Sequence, residues 1–161
     1  MKKKVSIKKI KEDAENLFRE GKFYCSEAIV ASIKRNFELD ISDKMISLAS
    51  GCPVGIGKSK CTCGAVSGGV IALGYFFGRT KGGDPKVEDL LKLTNELQQS
   101  FKDNHNVLCC SILTKDFDMA SGEHKKQCIS FTGEMAQKAA EIIVRELNLV
   151  NLDNVKGDQV G

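Results

Sequence analysis

Seven cysteines in 161 residues are the side chains of this sequence best equipped for chemistry. They are Cys25, Cys52, Cys61, Cys63, Cys109, Cys110 and Cys128. The set holds one CxC, Cys61-Thr62-Cys63, and one vicinal pair, Cys109-Cys110, but not the two CxxC pairs of a common zinc site. No CxxCH occurs, which excludes covalently attached c-type haem. An odd number of thiols suits free or metal-bound sulfur better than a disulfide framework. A chain of this length buries roughly 70% of its extended surface and needs no such framework to fold.

Four of the thiols fall where helices are expected to begin: Cys25, Cys63, Cys110 and Cys128. A helix N-terminus offers unpaired N–H groups and a partial positive charge, so it stabilises an anion. Thiolate is the reactive and metal-binding form, and at such places its pKa drops from about 8.5 into roughly 3.5–7.5. Four helix ends aimed at one point would gather four thiolates. Their mutual repulsion would call for a cation, a cluster or oxidation to disulfides. The expectation is therefore spatial: sulfurs distant in sequence converge.

The elements that must position them read as helices. Cys61–Phe77 carries no charge, and its small residues recur four apart: Gly64 and Gly68, Ala65 and Gly69, Gly74 and Gly78. Residues four apart share a helix face, and a face of small residues admits another backbone closely. Val66, Val70, Ile71, Leu73, Phe76 and Phe77 cover the rest, which predicts a buried central helix. The run is too short to span a bilayer, which needs about 20 apolar residues.

Around it, helical periodicity predicts a segment over 6–20, with Ser6 as N-cap and Gly21 closing it. A second runs from Tyr24–Ser26 to about Phe37, and a short third from Ser42 to Ala49. A loop with three glycines and a proline, Ser50–Lys60, bars a regular element. Asp84-Pro85 reads as N-cap and N1 of a helix reaching Lys102. A short helix is expected from Cys109, a polar loop over Lys115–Lys126, and a last helix from about Gln127 to Leu147 with Cys128 in its first turn. The polar tail from 148 is expected to fray. No period-2 strand and no internal repeat is evident. The fold class is all-α: one domain over 1–161, an irregular bundle of five or six helices around the glycine-rich one.

Charge and local motifs exclude several functions. The net charge is only +3, and the lysines of the first 22 residues are interleaved with acids. That is a solvated helix face, not a basic nucleic-acid surface. No apolar h-region follows those lysines, so no secretory signal is expected and the cytoplasm, which keeps thiols reduced, is the expected compartment. Gly57-Lys58-Ser59 imitates the end of a phosphate loop, but Cys52 stands where GxxxxGK[ST] needs its first glycine. His105, four residues before Cys109, could serve as a ligand or proton donor, but a lone histidine is more often a surface or hydrogen-bonded residue, so neither it nor His124 is taken as a site residue; no Ser-His-Asp set is identifiable.

The cysteines carry a resemblance. The chain is similar to the C_GCAxxG_C_C family, described as redox-active. Cys25-Ser26-Glu27-Ala28 matches its first cysteine on an early helix. Gly51–Gly57 matches a glycine-rich loop, and Cys63-Gly64-Ala65-Val66-Ser67-Gly68 matches CGAxxG in full. Cys110 and Cys128 fit the two later cysteines, with Cys109 competing for the third place and Cys61 for that of Cys63. Cys52, Cys61 and Cys109 are additional to the pattern. A more distant resemblance, to the helical domain of split-Soret cytochromes, implies an iron–sulfur site, although their haem motifs are absent here.

These lines lead to a cysteine-based redox protein. In the first reading Cys25, Cys63, Cys110 and Cys128 hold an iron–sulfur cluster for electron transfer. In the second, a metal-free thiol–disulfide oxidoreductase uses Cys63 as nucleophile with Cys61 beside it. Zinc on four cysteines, or a structural helical domain with buried thiols, are the remaining alternatives. The expected partners are a redox protein or a small thiol or disulfide. No nucleic acid and no membrane span are expected, and the small-residue face of Gly64–Gly78 would also serve a homodimer.

Overall fold

A computed structural model describes residues 1–155. Among them the chain is all-α apart from one two-residue strand pair. The helices are α1 (Ile7–Arg19), α2 (Cys25–Asn36), α3 (Lys44–Ser47), α4 (Gly64–Phe77), α5 (Val87–His105), α6 (Cys110–Leu113) and α7 (His124–Glu146). Five are long; α3 and α6 are single turns. None is long and apolar enough to cross a membrane.

The glycine-rich helix α4 lies at the centre and packs on α2, α5 and α7, while α1 covers α2 and α7. Its first half is buried from Gly64 to Gly69 save for a half-covered Ser67. Its last turn emerges, and Tyr75 is exposed. Two glycines explain the centre. A Cβ on Gly68 would stand 2.7 Å from the Cα and 2.8 Å from the carbonyl oxygen of Ser26, so α2 crosses α4 backbone to backbone. A Cβ on Gly69 would meet the Leu97 side chain of α5 at 2.8 Å. Leu73, Leu97, Phe101, Met135, Ile142 and Ile143 fill the core around these crossings.

The boundaries differ from the sequence expectation in several places, α5 also running on from Lys102 to His105. Ser6 caps α1 as expected, its Oγ accepting from the Lys9 amide at 3.0 Å. Asp84 does not cap α5. Its carboxylate accepts from the Lys86 amide at 2.9 Å within a separate turn, and the helix starts at Val87. Helix α7 starts at His124 and not at Gln127, because Lys125, Lys126 and Gln127 continue its first turn. Residues 148–155 do not fray. Val150–Asn151 (β2) pairs in parallel with Lys4–Val5 (β1). In the 3-10 turn that follows, Asp153 accepts from Ser6 Oγ at 2.5 Å and from the Lys8 amide at 2.8 Å. The rest of the tail, 156–161, lies outside the described residues.

The loop before α4 holds no helix or strand, as its glycines and proline predict, and its turn is left-handed. Val54, Gly55, Ile56, Gly57 and Lys58 all have φ between 54° and 68°, and Lys60 follows with φ 57°. Val and Ile are the residues least suited to that region, at roughly 1–2 kcal/mol each. Internal hydrogen bonds hold the turn, Ile56 N–H to Cys52 O at 2.9 Å and Cys61 N–H to Gly55 O at 2.9 Å among them.

Candidate functional site

Cys25, Cys63, Cys110 and Cys128 line one cavity of about 630 Å³. They come from the start of α2, the N-cap of α4, the start of α6 and the second turn of α7. Local sequence explains each placement. Gly64 lets the Cys25 sulfur approach the head of α4: a Cβ there would stand 2.5 Å from that sulfur and 3.1 Å from the Cys52 carbonyl oxygen. Cys63 and Cys110 are set by a short antiparallel ladder centred on Thr62 and Cys109. In it Cys63 N–H donates to Leu108 O at 2.8 Å, Cys110 N–H to Cys61 O at 2.5 Å and Ser111 N–H to Lys60 O at 2.9 Å. Cys128 reaches the cavity from α7, three residues before Phe131, which lines it too.

The ladder separates the competing cysteines. Cys110 lines the cavity and Cys109 does not; Cys63 lines it, while Cys61 is exposed. Cys52 is half-buried behind the loop, its carbonyl turned to the head of α4. All seven are free thiols.

Ionisation departs from the expectation. Burial pushes the Cys25 thiol up to about 12 and that of Cys63 to about 11. Burial likewise lifts Cys128 to about 12 and raises Cys110. The helix-start effect is present but loses. The amides of Ala65 and Val66 favour the Cys63 thiolate without closing a cap bond, and those of Ser26 and Val54 favour the Cys25 thiolate. Desolvation outweighs them. Cys128 lacks even this help, being past the first turn. Each sulfur also senses the others: a charge on Cys63 raises Cys25 and Cys128, and one on Cys110 raises Cys63 and Cys128. Burial thus opposes the activation that the place of Cys63 at a helix start favours.

Cys109 is the thiol shifted the other way. The Ser111 hydroxyl, 3.0 Å from its sulfur, and the Ile112 amide hold its pKa below the ordinary value. Two further groups escaped the sequence reading. Val54 escaped because nothing announces a left-handed turn. His124 lines the cavity, and its signal was its place four residues before Cys128 on one helix face. His105, by contrast, is held outside, with Nε2 at 2.7 Å from Glu134 Oε2 and its ring between Phe101 and Phe131.

Four soft sulfur donors are the ligand set of an iron–sulfur cluster or of a closed zinc site. One zinc ion at about 2.3 Å from each sulfur needs the sulfurs about 3.8 Å apart. Among the described residues no group of three His, Cys, Asp or Glu side chains is set to hold a single metal ion. The four thiols surround a cavity.

A comparison with protein families matches residues 23–142 to the family described as Putative redox-active protein (C_GCAxxG_C_C). No curated protein and no solved structure matches. The family match spans the first cavity cysteine, the CGAxxG head of α4, the later two cysteines and most of α7, and the chain belongs to this redox-active family.

Proposed function

We propose that this protein is an electron carrier in which Cys25, Cys63, Cys110 and Cys128 hold an iron–sulfur cluster. The observation that carries the reading is the meeting of four thiols, from four separate elements, on one cavity. Burial disfavours their thiolates and so their attack as nucleophiles; as ligands they release their protons to solvent and bind a cation whose charge offsets the desolvation. A bound cluster supplies one-electron transfer at a potential set by hydrogen bonds to sulfur and by solvent exposure. The chain's own part is to hold the ligands and tune them. The amides of Ala65 and Val66 face Cys63, and those of Ser26 and Val54 face Cys25. Phe23 and an exposed Tyr24 border the cavity where a partner protein would approach.

The test is anaerobic purification and reconstitution with iron and sulfide. The expected product is brown, absorbs above about 400 nm, and carries iron and acid-labile sulfide in equal amounts. Serine at any of the four cavity positions lowers iron retention, whereas serine at Cys52, Cys61 or Cys109 leaves it intact. Protein that stays colourless and iron-free after reconstitution overturns the reading.

A second reading draws on Cys109 alone. Its lowered pKa and surface position suit attack on the disulfide of a small thiol or a partner protein. That step forms a mixed disulfide and releases one thiolate; a thiol from solution then attacks the mixed disulfide, leaves as a new disulfide and returns Cys109 as thiolate. Turnover of a disulfide substrate by metal-free protein, abolished by Cys109→Ser, would select this reading.

A further inference from the structure

One atom of the cavity has no explanation in the four thiols. His124 lines the same cavity, and its Nδ1 is buried without a hydrogen-bond partner among the described residues. A buried polar atom left unpaired costs about 1–3 kcal/mol, and native proteins carry few of them. His105, by contrast, pairs its Nε2 with Glu134. His124 opens α7, and Cys128 follows four residues later. Side chains at that spacing stand one above the other on a helix face. The unpaired nitrogen and the Cys128 sulfur therefore address one region of one cavity.

We propose that His124 is the side-chain hydrogen-bond donor to the group held by the thiols, with its Nδ1–H directed to the sulfurs on the Cys128 side. The proposal rests on the cluster reading above. Four cysteines already complete a cluster's ligand set, so the imidazole is left the role of donor and not of fifth ligand. Neutral imidazole carries one N–H and one bare nitrogen, and an inward Nδ1–H leaves Nε2 as acceptor. A donor to cluster sulfur favours the reduced, more negative state and so raises the potential. His124 is thus a positioning and tuning residue: it neither binds iron nor carries the electron.

Two variants test this, each reconstituted anaerobically beside the parent. His124→Leu removes the donor, and His124→Asn returns an N–H at nearly the same place. Iron per chain and the midpoint potential at fixed pH are measured for all three. The expected result is equal iron content in all three and a potential lower in His124→Leu. The shift expected is about tenfold in the reduction equilibrium, about 59 mV for one electron. His124→Asn lies close to the parent. A second measurement needs no Leu variant. Pulsed EPR of the reduced parent, grown with 15N-histidine, shows a weak nitrogen coupling that His124→Asn removes. An unchanged potential in His124→Leu with its cluster intact overturns the donor role and leaves the cluster standing. Loss of iron in that variant overturns it in favour of ligation. A parent that takes up no iron removes the cluster reading and this inference with it.

Discussion

Three glycines of α4 give a prediction with its control inside one helix. Each is replaced by alanine. At Gly74 nothing lies within 4 Å of the new Cβ, so only helix propensity changes, and the protein gains about 1 kcal/mol. At Gly68 the Cβ lands 2.7 Å from Ser26 Cα. That is short of ordinary contact, about 3.5 Å, by about 0.8 Å. The obstacle is backbone of a packed helix, which no rotamer change relieves. The cost should reach the upper end of overpacking, about 3 kcal/mol, less the propensity gain of about 1, for a net loss of about 2 kcal/mol. The two variants thus differ by about 3 kcal/mol. With a urea dependence of about 2 kcal/mol/M, their unfolding midpoints separate by about 1.5 M. Gly64→Ala differs in kind. Its closest obstacle is the Cys25 sulfur, which can rotate away but then leaves the cavity, so metal retention falls more than stability. Equal urea midpoints for Gly68→Ala and Gly74→Ala would falsify the claim that α2 and α4 meet backbone to backbone.

Three further outcomes are expected. In metal-free protein, iodoacetamide labels Cys109 and Cys61 on the order of tenfold faster than Cys25, Cys63 or Cys128, read by peptide mass spectrometry; equal rates contradict the burial of the cavity thiols. The raised thiol pKa values of Cys25, Cys63 and Cys128 also set an alkaline limit. Their protonated form is favoured in the fold, so stability is complete below the unfolded thiol value of about 8.5 and declines as pH rises toward 11–12, by up to about 1.4 kcal/mol per pH unit for each thiol. Urea midpoints of metal-free protein at about pH 8 and about pH 10 test it, and a triple serine variant should lack the decline. Glu96 acts in the opposite sense. The Arg145 guanidinium, with Lys138, holds its carboxyl down at about 2, so its contribution is present above about pH 4.5 and lost as pH falls toward 2. At neutral pH Glu96→Gln costs about 1 kcal/mol once solvent screening of a partly exposed group is allowed for, and the cost vanishes near pH 2 in thermal unfolding.

The helices were legible because their apolar residues recur at helical spacing, and Gly64 and Gly68 announced a close crossing before any partner was visible. The convergence of Cys25, Cys63 and Cys110 was legible from helix starts, whereas Cys128 sits past the first turn of α7. Ionisation was not, since position along a helix is written in sequence whereas depth beneath the surface is not. The start of α7 was misplaced because His124–Gln127 is polar, and hydrophobic periodicity is silent over a turn that faces water or a cavity. Asp84-Pro85 carries the chemistry of a helix start and forms a separate turn instead, since the two signals are shared. The pairing of Lys4–Val5 with Val150–Asn151 is too short to alternate, so no period could reveal it.

The loop before α4 has a chemical consequence. Five successive residues from Val54 to Lys58 trace a path native to the opposite enantiomer. Total synthesis with D-isoleucine at position 56, whose side chain is exposed, should leave the Val54 amide facing Cys25 and make the protein harder to unfold by about 1 kcal/mol or more. Mirror-image building blocks, ruinous in a right-handed helix, would here be the better-fitting ones.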